Sequence, residues 1–295
     1  MSAAQAPITR MPASVSVGIT GALRPLDALR SATYRVFGRG LGRLLSEPER
    51  RAFWLACALL TFALAGTVVG RVFAGAGRRG KNVVLPFEDG GRVVVNLGMT
   101  GRLVLSDAPR AGDLRHVAVR FDLEDGRRLL YDDSRRFGLL RVYEPDAWAA
   151  RDAELGLEPL GEAFTAAALH AMTRHTRVPI RNFLLDQYRV AGVGNIYALE
   201  ALFRAGIRPT RRARTLTRAE AARLRDALRD VLGLAIENRG TTFSDYRDAS
   251  GEAGGFEPLL LVYGREGTPC GRCGTHIRRK VLSNRSAFYC PSCQS

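Results

Sequence analysis

Four cysteines near the end of the chain form two Cys-x-x-Cys pairs, Cys270 with Cys273 and Cys290 with Cys293. Thiolates at this spacing bind one tetrahedral metal ion, and two pairs fill all four coordination positions. No secretory signal is evident, since the first strongly apolar run begins near Ala52, and this favours zinc over disulfides. The sequence therefore predicts one structural zinc ion with no open position for catalysis.

The segment between the two cysteine pairs is strongly basic, with Arg278, Arg279, Lys280 and Arg285. The whole chain has 44 Lys and Arg against 29 Asp and Glu, which gives a formal net charge of +15. Such an excess indicates a polyanionic partner, nucleic acid first and an anionic membrane second. We expect the metal-held hairpin to contact a phosphate backbone; the alternative is a zinc ribbon used only for stability.

Lysine is rare in this chain. Of the 44 basic residues, only Lys81 and Lys280 are lysines. A guanidinium group stays protonated, so arginine cannot serve as an amine nucleophile. Lys81 is therefore the side chain of interest for amine chemistry, and Lys280 is interpreted as one more cation of the basic hairpin.

Three further segments carry side chains that could act on a nucleic acid. Met99 lies in a Gly-flanked turn of NLGMTGRL, and Asn195 opens a helix in AGVGNIYALEALF. The turn in DDSRRFGLL contains Arg135, Arg136 and Phe137. Apolar and planar side chains can enter a base stack, and backbone N–H groups at a helix start can hold phosphate. Singly these residues also fit a core position, a solvated turn or a helix cap; with the charge and the zinc hairpin they indicate a DNA-binding surface.

The elements that must position these residues form a strand-rich part and a helical part. Residues 82–143 contain short strand-like runs with turn signals such as Asp89-Gly90-Gly91, a pattern typical of an antiparallel sandwich or barrel. From about Trp148 the pattern becomes helical, and Thr217 with Glu220 forms a capping-box pair. The length of 295 residues is enough for two domains.

The first part of the chain shows no convincing fold pattern. Residues 1–51 are rich in Ala, Arg and Ser, and residues 52–70 are uncharged and mostly apolar. A run of this length can just span a bilayer. The alternative is a buried helix that leads into a buried strand, because residues 66–75 contain glycine breaks and β-branched side chains. Both interpretations stay open from the sequence.

Several motifs together resemble the formamidopyrimidine-DNA glycosylase / endonuclease VIII family, and its formamidopyrimidine branch more closely. In the family's order, they are RRGKNVVL, NLGMTGRL, DDSRRFG, LLDQYRVAGVGNIYALEALFRAGIRP, the segment from GGF to LLLVYGREGTPC, and the terminal zinc hairpin. The resemblance implies an α+β fold with an antiparallel β-sandwich (residues 66–147), a helix-two-turn-helix domain (148–240), and a lesion loop with a zinc-finger β-hairpin (241–295). An atypical segment, residues 1–65, precedes them.

The resemblance implies a base-excision-repair enzyme that flips oxidised purines, formamidopyrimidine and 8-oxoguanine, out of duplex DNA. Such enzymes cleave the glycosidic bond through a Schiff base with an N-terminal proline amine, and then cut the strand by β- and δ-elimination. Lys81 would donate a proton in β-elimination, and Arg285 would grip phosphate and assist δ-elimination. The expected partner is duplex DNA with a damaged base or an abasic site, bound by a monomer in the cytoplasm at the nucleoid.

The resemblance also implies roles for the loop residues. Met99, Arg135 and Phe137 would fill the gap left by the extruded base, with Arg135 facing the estranged cytosine. Asn195 would bind phosphates around the lesion, and the loop near Thr241–Gly251 would cover the flipped base. Further DNA contacts are expected from Arg136, Lys280 and Arg181, the last of which stands where the family usually has lysine.

The start of the chain departs from the family pattern. The family begins Met-Pro-Glu-Leu-Pro-Glu, whereas this chain begins MSAAQAPITRMPASVSV and has its first acidic residue at Asp27. Initiation at Met11 would expose the amine of Pro12, one candidate nucleophile, and Lys81 is the other. The alternative function is a damaged-DNA-binding protein with impaired catalysis, tethered to a membrane if residues 52–70 act as an anchor.

Overall fold

The computed structural model describes residues 15–18, 66–106, 114–241 and 254–295, which form two compact units. Of these, the first unit contains 15–18, 66–78 and 82–148, and the second contains 79–81, 149–241 and 254–295. The predictions that concern Pro12, residues 52–65 and residues 242–251 lie outside the described residues. Among the described residues, no helix is long and apolar enough to cross a membrane.

The first unit is built from two four-stranded sheets with strand orders β1-β6-β7-β5 and β2-β3-β4-β8. The strands are β1 (Val15–Gly18), β2 (Gly77–Arg79), β3 (Asn82–Pro86), β4 (Arg92–Asn96), β5 (Gly101–Ser106), β6 (Val117–Leu123), β7 (Arg128–Asp133) and β8 (Leu139–Tyr143). The predicted turn at Asp89-Gly90-Gly91 joins β3 and β4, which pair antiparallel. Strand β1 was not predicted; it pairs with β6, about a hundred residues later in the chain.

Both sheets contribute to one hydrophobic core. Val93 and Val95 on β4 are buried in the same cluster as Phe121 on β6 and Tyr131 on β7. Residues two apart on a strand face the same side, so each sheet has one apolar face. Packing these two faces together gives the antiparallel sandwich that the sequence predicts.

The second unit is mainly helical. Its helices are α1 (Pro145–Glu154), which begins in the first unit, α2 (Ala166–Arg174), α3 (Ile180–Leu185), α4 (Asn195–Ala205) and α5 (Arg218–Glu237). The capping box at the start of α5 is confirmed: Thr217 accepts from the Glu220 backbone N–H, and the Glu220 carboxylate accepts from the Thr217 backbone N–H. Apolar side chains of α2 to α5 form one buried core.

The chain ends in a two-stranded hairpin of β9 (Arg278–Leu282) and β10 (Arg285–Tyr289). The connecting residues Ser283 and Asn284 both have positive φ, 43° and 59°. This is the backbone geometry of a two-residue turn whose twist matches that of the flanking strands. The hairpin buries Ile277 and Ala287 in a small core shared with helix α4.

Candidate nucleic-acid interface

The four predicted metal ligands converge on one point. The Sγ atoms of Cys270, Cys273, Cys290 and Cys293 all lie within 4.8 Å of one another. The Sγ atoms of Cys273 and Cys290 are 3.5 Å apart, and those of Cys270 and Cys293 are 3.9 Å apart. Thiolates about 2.3 Å from a tetrahedral zinc ion stand about 3.8 Å from each other. The cluster therefore fits one structural zinc, held by these four cysteines.

The zinc site fixes a small core whose outer surface is cationic. Cys270 and Cys290 are buried with apolar hairpin residues against Phe203 of helix α4. The outward-facing basic side chains on the hairpin are exposed: Arg278, Arg279, Lys280 and Arg285. A hairpin held in this way presents fixed positive charges, which suits a phosphate backbone.

Lys81 occupies the tight connection between β2 and β3. It follows Gly80, whose φ of 59° is unfavourable for other residues. The Gly80 backbone N–H donates to the Glu158 carboxylate at 2.6 Å, and the Arg79 guanidinium donates to Asp152 at 2.6 Å. These contacts hold the backbone at Arg79 and Gly80 and so fix the position from which Lys81 projects.

The Lys81 ammonium has an altered acidity. Lys81 is exposed at the surface, yet the protein atoms around its ammonium group remove part of its hydration, and this is the main effect that lowers the pKa of Lys81. The neighbouring Arg285 guanidinium repels the charged form and lowers this pKa further. An amine of this kind is neutral more often at neutral pH than an ordinary lysine is.

Arg181 is almost completely buried, with 1% of its surface exposed. Its Nη2 donates to the backbone carbonyl oxygens of Leu282 at 3.0 Å and Arg285 at 2.9 Å. The guanidinium thus contacts the ends of the hairpin turn instead of solvent. The direct DNA contact predicted for Arg181 stays a prediction that this burial does not favour.

Asn195 is the first residue of helix α4, as predicted, and is partly buried. Its Nδ2 donates to the Ser286 carbonyl at 3.0 Å, and the preceding loop is held by Gln187, which accepts from Gly192 N–H and donates to the Val193 carbonyl. The backbone N–H groups of the first turn of a helix have no partner within the helix and carry partial positive charge. Asn195 therefore lies where a phosphate can be held.

Met99, Arg135 and Phe137 form an exposed group, called the insertion cluster below. Met99 is 67% exposed and Phe137 is 63% exposed. The Arg135 guanidinium lies 4.7 Å from the Phe137 ring centroid, and its Nη1 lies 3.8 Å from the Met99 Sδ. Large apolar side chains so open to water, stacked with a planar cation, indicate a surface that contacts an aromatic partner such as a base.

A single carboxylate connects the two loops of the insertion cluster. Asp133 is 1% exposed, and it accepts hydrogen bonds from the Thr100 hydroxyl at 2.6 Å, the Gly138 N–H at 2.8 Å and the Tyr131 hydroxyl at 3.1 Å. Burial acts to raise the pKa of Asp133, but these hydrogen bonds prevail and lower it. Asp133 therefore stays ionised and holds the loop of Met99 against the loop of Phe137.

Close backbone packing also joins the two loops. Gly98 has a φ of 63°, and a Cβ atom there would lie 3.0 Å from the Phe137 carbonyl carbon. Gly138 faces the backbone at Asn96, at the end of β4, so closely that a Cβ atom would lie 2.7 Å from the Asn96 carbonyl oxygen. Neither site leaves room for a side chain.

Asp133 was not among the predicted site residues, although an acidic residue directly before SRRFG at the end of a strand was a visible signal.

Arg136 and Lys280 complete the predicted contacts. Arg136 has a φ of 58°, it is partly buried, and its Nη2 donates to the Val117 carbonyl at 3.4 Å. Lys280 is exposed on β9 opposite Ala287. The structure therefore brings Met99, Arg135 and Phe137 together in the first unit, and Lys81 and Arg285 together in the second.

Three family models match successive parts of the chain. The formamidopyrimidine-DNA glycosylase N-terminal domain matches residues 42–140, and the formamidopyrimidine-DNA glycosylase H2TH domain matches residues 155–247. The zinc finger found in FPG and IleRS matches residues 267–295. The last match includes all four zinc ligands.

Similar proteins are found among curated sequences and solved structures. Formamidopyrimidine-DNA glycosylase from Chloroflexus aggregans is 44% identical over 230 residues, which cover 78% of this chain and 83% of that protein. The crystal structure of the MutM (Fpg) protein from Thermus thermophilus is 42% identical, with a TM-score of 0.70, and covers 78% of this chain and 85% of that one.

A Lactococcus lactis Fpg mutant, solved in complex with Fapy-dG-containing DNA, is 30% identical with a TM-score of 0.72, over 79% of this chain and 86% of that one. The same organism's Fpg is known in complex with DNA that contains an abasic site. The identity, the coverage and the order of the three matched domains agree with one another. The chain belongs to the formamidopyrimidine-DNA glycosylase family.

Proposed function

We propose that this chain is a base-excision-repair DNA glycosylase and AP lyase that removes oxidised purines, formamidopyrimidine and 8-oxoguanine, from duplex DNA. The observation that carries the proposal is the insertion cluster, because exposed Met99 and Phe137 with a stacked Arg135 suit the gap that an extruded base leaves. Extrusion costs a few kcal/mol of stacking and pairing. Inserted side chains offset part of this cost, and Arg135 offers planar donors to the cytosine that has lost its partner.

Contacts with the phosphate backbone come from the second unit in this proposal. Asn195 binds phosphates around the lesion at the start of α4, and the exposed arginines of the zinc hairpin with Lys280 neutralise phosphates along the strand. The net charge of +15 supports this assignment. Arg136 adds a cation beside the insertion cluster.

The chemistry rests on an amine. Its nitrogen bonds to C1′ of the damaged nucleoside as the glycosidic bond breaks, the base leaves with a proton, and opening of the sugar ring gives an imine. Loss of a C2′ proton then breaks the C3′–O bond, and loss of a C4′ proton breaks the C5′–O bond. Water finally hydrolyses the imine. In this proposal Arg285 neutralises the departing phosphate, and Lys81 is either the amine itself or, where Pro12 is the amine, the group that transfers protons.

The identity of the amine leads to a specific expectation. Of the two candidate amines, Lys81 is the one tested, because burial and the neighbouring Arg285 lower its pKa. We predict that Lys81→Ala lowers borohydride trapping of the chain on abasic-site DNA to background. Trapping by the wild type should rise with pH and level off at a lower pH than an ordinary lysine would require, because the neutral amine is the nucleophile and the pKa of Lys81 is lowered. Arg177→Ala, at an exposed basic residue, is the control, and undiminished trapping by Lys81→Ala would exclude Lys81 as the nucleophile.

The insertion cluster leads to a second expectation. Phe137→Ala removes an exposed side chain, so the free energy of unfolding should change by less than about 0.5 kcal/mol. Excision from a duplex should fall at least about tenfold, since loss of about 1.4 kcal/mol of insertion energy corresponds to that factor. Urea unfolding and single-turnover excision measure the two quantities. Leu160→Ala, at another exposed apolar residue, should change neither; equal excision by Phe137→Ala would contradict the role of the cluster.

The proposed activity is tested by strand cleavage. A duplex with one 8-oxoguanine opposite cytosine and the same duplex with guanine at that position are incubated with the full-length protein. Cleavage of the first and not of the second is expected, with ends that carry phosphate on both sides of the gap. Cleavage of both duplexes, or of neither, would overturn the proposal.

The remaining organisation is proposed on the same basis. The protein is proposed to act in the cytoplasm, at the nucleoid. A monomer suffices for the activity, because the insertion cluster, the cations and the zinc site belong to one chain. The domains are residues 66–147, 148–240 and 241–295, after an atypical segment 1–65. A single species of about one chain's mass, 32.2 kDa, in detergent-free sedimentation is expected; recovery only with detergent would favour the membrane tether.

A further inference from the structure

Arg181 is a buried cation for which the described residues provide no acidic partner. Its side chain is 1% exposed, and its hydrogen bonds go to the Asn182 Oδ1 and to the carbonyl oxygens of Leu282 and Arg285. A charge removed from water without an opposite charge is costly. The hydrogen bonds of Arg181 offset part of this cost, and they make contacts that an apolar side chain could not make.

Two hydrogen bonds of Arg181 converge on the turn of the zinc hairpin. Leu282 and Arg285 are the two residues that flank the turn of the zinc hairpin, and a single nitrogen, Nη2, joins their carbonyl groups. The adjacent Asn182 donates from Nδ2 to the Ser283 Oγ at 2.9 Å. The turn has positive φ at both central positions, a conformation that Asn284 tolerates better than Ser283 does.

Arg285 gains its position from this arrangement. It begins β10, its side chain is exposed, and its carbonyl oxygen is held by the buried Arg181 while Asn195 holds the carbonyl of the next residue, Ser286. Long exposed side chains lose considerable entropy when they are held in one place. A backbone fixed at these two carbonyl groups reduces the number of positions that the Arg285 guanidinium samples.

We propose that Arg181 is a positioning residue that latches the turn of the zinc hairpin to helix α3 and so places the Arg285 guanidinium for the phosphate released in strand cleavage. This inference rests on the proposed function. Arg181 does not itself touch DNA in this account. Lysine would keep the charge at this place, but its single nitrogen cannot take the places of both Nη1, which donates to Asn182, and Nη2, which donates to the two carbonyl groups.

The latch and a direct phosphate contact predict different results. A residue that neutralises one phosphate contributes about 0.9 to the slope of log K against log salt concentration. A direct phosphate contact that is replaced by methionine lowers this slope by about 0.9, whereas lysine keeps the charge and leaves the slope alone in either case. A latch that is replaced by methionine leaves the slope unchanged, because no phosphate contact is lost. It instead shifts the products of cleavage from β,δ-elimination toward β-elimination, since only the second step depends on Arg285.

The experiment compares the full-length, zinc-loaded wild type with Arg181→Lys and Arg181→Met. Binding to a duplex with a tetrahydrofuran abasic analogue is measured against salt, and the products from a natural abasic site are separated. For both variants we expect a δ-to-β product ratio at least about threefold lower, and for Arg181→Met a salt slope unchanged within about half a unit. Arg177→Lys, at an exposed residue, is the matched control and should change neither.

Hydrogen exchange gives a readout that does not depend on activity. The amides of residues 283–286 should exchange faster in Arg181→Lys than in the wild type. Their exchange rates in Arg177→Lys should equal those of the wild type. Faster exchange with a wild type that cuts no DNA would support the latch and contradict the proposed function. Unchanged exchange and an unchanged product ratio, or a salt slope lower by about one unit in Arg181→Met, would overturn the latch. If Arg181→Met does not fold, Arg181→Lys carries the test.

Discussion

Replacing Cys290 with serine is expected to abolish strand cleavage at damaged sites. Cys290 is one of four zinc ligands and is buried in the small core between the hairpin and helix α4. Structural zinc supplies about 10–16 kcal/mol of apparent binding free energy in zinc-finger peptides, and this energy is folding energy for so small a core. Without the ion, the exposed cations of the hairpin lose their fixed arrangement.

The measurement pairs cleavage of abasic-site DNA with the zinc content of the purified protein. Cys57→Ser is the matched control, because Cys57 belongs to neither Cys-x-x-Cys pair. Wild type and Cys57→Ser should hold one zinc per chain and cleave alike. A strong chelator should reproduce the loss in the wild type. Full cleavage by Cys290→Ser without bound zinc would show that the metal is dispensable for the hairpin.

Replacing Asp133 with alanine is expected to weaken both folding and excision. The change leaves the Thr100 and Tyr131 hydroxyls and the Gly138 N–H without their acceptor in a buried place. Each such loss costs about 1–3 kcal/mol, so the free energy of unfolding should fall by about 3 kcal/mol or more. The loops that carry Met99 and Phe137 then separate, and excision should fall at least about tenfold.

The pH dependence of this effect follows from the lowered pKa of Asp133. A carboxylate whose pKa is lower in the folded state stabilises the protein above its unfolded pKa, about 3.9, and this contribution is lost as the pH falls through the folded pKa. The difference in unfolding free energy between wild type and Asp133→Ala should therefore be constant between about pH 6 and 8 and shrink in acid.

Urea unfolding and single-turnover excision measure the two effects of Asp133→Ala. Asp125→Ala is the control, because Asp125 is exposed in a hairpin turn away from the insertion cluster. Asp133→Asn keeps the size of the side chain and should lie between wild type and alanine. Excision by Asp133→Ala at the wild-type rate would show that the two loops do not need this connection.

Features that depend on local rules could be predicted from the sequence. The zinc ligands follow from spacing, the β3–β4 turn from Asp-Gly-Gly, and the start of α5 from Thr217 and Glu220, since each involves residues close together in the chain. The sequence left Met99 open between a core position and a DNA-binding turn, and the structure shows it 67% exposed.

Features that depend on long-range packing could not be predicted from the sequence. The bonds from Arg181 reach residues 101 and 104 positions later, so no local pattern distinguishes a latch from a DNA contact. The bond from Thr100 to Asp133 spans 33 positions. Strand β1 was missed for the same reason: it is paired with β6 by distant contacts in a segment whose composition suggests no strand.

Release of the free base distinguishes a DNA glycosylase from a protein that only binds damaged DNA. The full-length protein is incubated with a duplex that contains 8-oxoguanine opposite cytosine, and small molecules in the filtrate are identified by mass spectrometry. We expect free 8-oxoguanine in step with imine formation, and no free guanine from the undamaged duplex. Tight binding of the lesion duplex with no free base, at any pH at which the chain is folded, would contradict this expectation and identify a damaged-DNA-binding protein instead.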